Sequence, residues 1–115
     1  MAKKTSAKAS RPRTAAQPAP MIAAQPTPAT VTVSFQEGQG TATAILFRNG
    51  ANIGQATLNN GGSHTFPNVI AGDTIHVDGT LTGTSATVGI DRSTSPATPA
   101  TFTNSPFADG FDILT

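Results

Sequence analysis

Two histidines and the aspartates near them come closest to a metal-binding pattern. His64 and His76 are the only histidines of the chain, and Asp78 follows His76 at the i+2 position of a predicted strand, which places both on one face. With Asp73 close in sequence, two imidazoles and a carboxylate could bind a divalent cation. A third protein ligand at close spacing is missing. The same pattern is typical of solvent-facing polar residues on adjacent strands, so we expect no metal and no cofactor.

Nucleophilic and acid–base chemistry has less support. The chain contains no cysteine and no G-x-S-x-G motif, which excludes a thiolate nucleophile and a hydrolase-type serine turn. Asp109 and Asp112 form a carboxylate pair, but glycosidase chemistry would need a cleft and a raised pKa, and we interpret them as solvated turn charges. The paired glycines precede strands rather than helices, so they form no phosphate loop. We predict no catalytic centre and no small-molecule substrate.

The N-terminal segment concentrates the positive charge of the molecule. Its first 13 residues hold five of the seven basic side chains and no acidic one, whereas the remainder has two basic and six acidic residues, a net charge of −4. Such asymmetry indicates a tail with a partner of its own. The partner-binding residues that we predict are Lys3, Lys4, Lys8, Arg11 and Arg13. They could contact another protein subunit, neutralise nucleic-acid phosphates without reading sequence, or form a solvated tail.

Proline content separates this segment from the rest of the chain. Residues 1–29 contain five prolines and no glycine, with too little apolar surface to offset backbone ordering, so we expect a disordered or polyproline-like arm in the free protein. The arm lacks the apolar run of about 7–15 residues that a signal peptide needs, and no segment approaches the ~20 of a membrane span. We therefore predict an arm over residues 1–29, a domain over residues 30–115, and no membrane contact.

Alternation of apolar and polar residues predicts that this domain is all-β. No segment keeps a helical period, and Asn49-Gly50 favours a tight hairpin, since both residues tolerate positive φ. Gly79 suggests a bulge, and residues 67–73 and 93–106 are predicted loops. The seven predicted strands span residues 31–35, 41–48, 52–58, 63–66, 74–81, 84–90 and 107–114. The fold class that follows is a single small antiparallel β-sandwich, immunoglobulin-like or jelly-roll-like, with an extended N-terminal arm.

The inward positions of these strands define a predicted core. It comprises Val31, Val33, Phe35, Ile45, Phe47, Ile53, Leu58, Phe66, Val69, Ile75, Val77, Leu81, Val88, Ile90, Phe107, Phe111 and Ile113. Such a core is small relative to the surface that a domain of this size exposes. Oligomerisation or docking into an assembly would add the stability that a small core lacks.

The segment from residue 41 to residue 77 resembles the repeated layout of bacterial prealbumin-like β-sandwich modules. It has a strand, an Asn-Gly turn, a strand with the pattern G-x-x-x-F-x-N-V, and then Gly-Asp before another strand. The resemblance covers about a third of the chain. It implies an immunoglobulin-like sandwich used for display or spacing, and it implies no active site.

A domain that is rich in Thr, Ala and Gly, without Cys or Tyr, and that carries an extended arm is also similar to capsid decoration or head-fibre proteins. We expect a non-enzymatic accessory protein of a bacteriophage virion, assembled in the host cytoplasm, whose arm binds other subunits of a capsid or homo-oligomer. A carbohydrate or cell-surface binding module is one alternative, although the missing Trp and Tyr count against it. A small nucleic-acid-binding protein that uses the basic arm is the other.

Overall fold

The computed structural model describes residues 26–115, which fold into strands joined by turns. The strands are β1 (Thr27–Gln36), β2 (Gly40–Arg48), β3 (Ala51–Asn59), β4 (Gly62–Val69), β5 (Thr74–Leu81), β6 (Ser85–Ile90), β7 (Thr94–Ser95), β8 (Ala100–Phe102) and β9 (Phe107–Ile113). The basic side chains at positions 3, 4, 8, 11 and 13 lie outside the described residues, as does the part of the predicted disordered or polyproline-like arm that precedes residue 26. The sandwich takes in residues 27–29, because β1 begins at Thr27 and Ala29 is fully buried.

Two antiparallel sheets pack face to face and confirm the predicted all-β sandwich. One has four strands in the order β4-β1-β6-β8, and the other has five in the order β3-β2-β5-β9-β7. Strands β3 and β4 are the edges of different sheets and contact each other, so they lie on the same side of the sandwich. We call this the open side. The opposite side, where the sheets end in β7 and β8, we call the strapped side.

The strapped side is built by residues 93–106, which are not a simple loop as predicted. Their two short strands belong to different sheets, so this stretch crosses the sandwich between β7 and β8. The buried Thr94 donates a hydrogen bond from Oγ1 to the Pro96 carbonyl at 2.8 Å. At the other end, the Phe102 ring of β8 stacks on Phe107 of β9, with ring centroids 5.2 Å apart. Local hydrogen bonds and one aromatic pair therefore close this side.

Most of the predicted core is buried, but β2 presents the opposite face from the one predicted. Ala42, Ala44 and Leu46 point into the sandwich, whereas Ile45 and Phe47 lie half-buried on the outer face of the five-stranded sheet. Both faces of β2 carry apolar residues, so alternation alone does not decide which of them is buried. Two inward alanines keep the side-chain volume of the buried face small, which suits close packing of the two sheets.

The edge strand β3 departs from regular alternation at one residue. Leu46 pairs with Gly54 and Phe47 with Asn52, so Ile53 is the extra residue of a β-bulge and remains 47% exposed. Its assignment to the core was wrong, because Ile53 has the opposite parity from the buried Leu58 and would face outward even in a regular strand. Phe35, also predicted as core, is half-buried and packs against the buried cluster.

Turn residues were predicted with mixed success. The Asn49-Gly50 hairpin is confirmed, with φ of 53° and 81° at the two residues. Gly79 marks no bulge, since β5 keeps its register with β2 and β9 there; instead, a Cβ at this position would collide with the Thr41 carbonyl oxygen. The predicted loop at residues 67–73 begins later, because β4 continues through Pro67 to Val69. Pro67 is tolerated there because β4 is an edge strand.

Candidate functional site

The candidate metal ligands are not brought together. His64 lies on β4 and His76 on β5, which belong to different sheets, so the prediction that they occupy adjacent strands was wrong. His76 Nε2 lies 3.3 Å from Asp78 Oδ2 at the surface, while the His64 ring packs edge-on against Phe66 at 4.7 Å. Across residues 26–115, no three His, Cys, Asp or Glu side chains form a group that could hold a metal ion.

The two candidate catalytic carboxylates are also separated in the structure. Asp109 and Asp112 both lie within β9 rather than in a turn, and their odd spacing directs them to opposite faces of the sheet. Asp112 accepts a hydrogen bond from Thr74 Oγ1 at 2.7 Å, and Asp109 Oδ1 accepts one from the Gly110 N–H at 2.8 Å. Asp112 therefore links β9 to β5, Asp109 bonds within β9, and the two carboxylates do not flank a common substrate position.

A buried ion pair that the sequence did not reveal links three elements at one end of the sandwich. Asp73, only 1% exposed, accepts hydrogen bonds from Arg48 Nε at 2.9 Å and Nη2 at 2.8 Å. The Ile70 N–H donates to the same carboxylate, and the Ile113 N–H donates to the Asp73 carbonyl. The pair thus connects the end of β2, the β4–β5 turn and the end of β9. A Gly-Asp dipeptide before a strand signals a turn, and nothing in it predicts a buried partner.

The protonation behaviour of Asp73 follows from this environment. Burial by itself would raise the pKa of the carboxyl group. The hydrogen bonds from Arg48 and Ile70, with the charges of Arg48 and Arg92, outweigh burial and hold the pKa of Asp73 below its ordinary value. A carboxylate that stays ionised and fully hydrogen-bonded has a structural role here, because it is poorly suited to take up a proton at neutral pH.

Asp91 and Arg92 fix the point at which the N-terminal arm joins the sandwich. Arg92 donates from Nη1 to the carbonyls of Thr27 and Val69, both at 3.2 Å, and from Nε to the Thr115 oxygen at 2.7 Å. Asp91 Oδ1 accepts the Thr30 N–H at 2.7 Å. Residues from β1, β4 and the C-terminal segment therefore meet around one guanidinium group. These contacts hold the first residues of β1 against the sandwich.

No protein-family model, curated protein or solved structure matches this chain. Within the described range, no helix has the length and apolar character needed to cross a membrane. What bears on function is therefore the chain's own charge distribution together with the fixed base of its arm.

Proposed function

We propose that this protein is a non-enzymatic structural or accessory subunit of a large assembly, of the kind that decorates a bacteriophage capsid or anchors a fibre. Its arm docks to other protein subunits, and its sandwich projects from them. The resemblance to prealbumin-like modules and to decoration proteins supports this proposal. The separation of the candidate catalytic groups in the described domain agrees with it.

The division of charge is the observation that carries the proposal. Both arginines of the described domain are engaged within it, Arg48 with Asp73 and Arg92 with backbone carbonyls. Five further basic residues belong to the arm, and the domain has a net charge of −4. A basic segment attached to an acidic domain suits a neighbouring acidic surface, which a second copy or a shell protein can supply.

The experiment is incorporation into the native particle. Replacement of Lys3, Lys4, Lys8, Arg11 and Arg13 by Gln should abolish co-purification with the particle, while circular dichroism of the variant stays unchanged. The matched control exchanges Lys for Arg and Arg for Lys at the same positions, and it should incorporate as the native chain does. Incorporation should also weaken with salt, because exposed charges are screened over about 8 Å at physiological ionic strength. Normal occupancy of the Gln variant would overturn the proposal.

A nucleic-acid partner is distinguished by the same variants. Binding to DNA with a steep salt dependence, lost in the Gln variant and kept in the exchanged control, would favour that alternative over a protein partner. Full truncation is a poorer test if it extends to residue 29. Such a deletion removes the first strand residues and the Thr27 and Pro28 carbonyls that Arg92 binds, so it would disturb the sandwich itself.

A further inference from the structure

The open side of the sandwich contains a groove between the β3 and β4 edges, which we call the edge groove. Its volume is about 420 Å³, and its lining includes Leu46, Ile53, Gly54, His64, Phe66 and Asn68. Ile53 stands at its rim with nearly half of its surface exposed. Strands β3 and β4 contain no Lys, Arg, Asp or Glu. Long uncharged edge strands beside an exposed apolar side chain are a favourable place for another chain segment to bind.

Nearly buried apolar side chains, Leu46 at 3% and Phe66 at 2% exposure, underlie the groove, and the exposed polar residues Gln55 and Asn68 line it together with Ile53. Gly54 lets the Phe66 ring approach the β3 backbone, since a Cβ at this position would lie 3.2 Å from the ring. His64 covers the other part of the ring edge-on. Arg48 also lines the groove, and its guanidinium group is already paired with Asp73. An occupant should therefore be uncharged and present one or two bulky apolar side chains.

The chain has one such segment outside the described residues. Met21 and Ile22 are the only two adjacent bulky apolar residues of the arm, and no charged residue lies between Arg13 and them. The arm joins β1 at Thr27, which pairs with Val69, the neighbour of the groove residue Asn68. Four residues separate Ile22 from Thr27, and the five Cα–Cα steps between them span up to about 17 Å. Adjacent strands lie about 4.8 Å apart, so the groove is within reach of the same chain.

We propose that Met21 and Ile22 dock into the edge groove of their own chain, against Ile53 and Phe66. The short connection gives an effective concentration in the millimolar range, which favours the same chain over a second copy. Docking divides the arm into an apolar segment, which is bound to the sandwich, and a basic segment that precedes it in the sequence. The inference goes beyond the proposed function and can be tested on the free protein, so its failure would leave the incorporation test unaffected.

Disulfide trapping tests the contact without background, because the chain contains no cysteine. The test pair is Ile22→Cys with Ile53→Cys. The control pair is Ile22→Cys with Ser93→Cys, an exposed position beside Arg92 and hence close to the base of the arm. We expect an intramolecular disulfide to form at least fivefold faster in the test pair. Equal rates would overturn the proposal, as would a test pair that yields disulfide-linked dimers, since a second copy would then be the occupant.

Thiol modification gives a second measurement on the full chain. In Ile53→Cys, a small uncharged maleimide should react several-fold faster once Met21→Ser and Ile22→Ser are added. The matched control adds Ala23→Ser and Ala24→Ser instead, and its rate should stay the same. A labelling rate that is insensitive to residues 21 and 22 would contradict docking even if the trapping variants had folded poorly.

Discussion

The strapped and open sides of the sandwich solve the problem of exposed sheet edges in different ways. On the strapped side the edge strands have only two and three residues, and the chain crosses between the sheets there. On the open side the edges are nine and eight residues long, and they are interrupted only by the bulge at Ile53 and by Pro67. Short or interrupted edges discourage pairing with other chains. One side is thus closed by the chain itself, whereas the other retains a surface that can receive a partner.

The largest loss of stability is expected from a substitution on the strapped side. Phe107→Ala removes a nearly buried ring that stacks on Phe102 and so joins the two sheets. We expect a loss of about 3–5 kcal/mol in the free energy of unfolding, measured by urea denaturation. Phe107→Leu, which keeps most of the apolar volume, should lose clearly less. If Phe107→Ala were nearly neutral, the stacking of Phe102 on Phe107 would not contribute to closing the sandwich.

Loss of the Arg48–Asp73 ion pair should lower the free energy of unfolding by a smaller amount, and this effect should depend on pH. Asp73→Asn should cost about 1–3 kcal/mol at pH 7, whereas Asp78→Asn, at an exposed site, should cost little. The folded pKa of Asp73 lies below 3.8, so its contribution is complete above that value and is lost as the pH falls through the folded pKa. Acid denaturation should therefore be shallower in Asp73→Asn. Parallel curves for the two proteins would show that Asp73 is not linked to acid stability.

The hairpin between β2 and β3, which supplies one edge of the open side, should be moderately sensitive to substitution in its turn. Gly50 has a φ of 81°, so Gly50→Val should destabilise the domain by about 1–2 kcal/mol. Ala51→Val, which places the same side chain at an exposed strand residue one position later, is the control and should be close to neutral. An unchanged thermal midpoint in Gly50→Val would mean that the strain is relieved by a different turn.

The smallest effect should come from the rim of the open side. Ile53→Thr alters an exposed residue in a bulge, and we expect a change within about 0.5 kcal/mol. Thermal unfolding of the two proteins in parallel measures this difference. A loss as large as that of Phe107→Ala would show that Ile53 belongs to the core and that the two sides do not differ as described.

Local patterns predicted much of this fold because each strand has one buried face. The alternation of β1, β5 and β6 placed Val31, Val77 and Val88 correctly, and the Asn49-Gly50 turn followed from backbone preference. In β2, both faces carry apolar residues, so alternation alone could not decide between them. The choice depends on how much space the opposing sheet leaves, which is a property of the tertiary structure.

The remaining errors have the same origin in long-range contacts. In β3, Ile53 and Leu58 have opposite parity and cannot both face inward in a regular strand, which is a signal that could have removed Ile53 from the predicted core. The Arg48–Asp73 pair joins residues that are 25 positions apart, and the clamp of Arg92 on Thr27 joins residues 65 positions apart. No local periodicity encodes such pairs, so the fixed base of the arm became visible only in the folded chain.

The position of β1 has a mechanical consequence for a subunit that is held by its arm. This strand lies between β4 and β6, with six register pairs to each neighbour, and the arm continues directly from its first residue. Tension on the arm along the strand axis must break hydrogen bonds to both neighbours together, in shear. An edge strand pulled along its axis would be held by the hydrogen bonds of one neighbour alone. The arm is therefore attached to a strand that is held on both sides, which suits a tether that carries load.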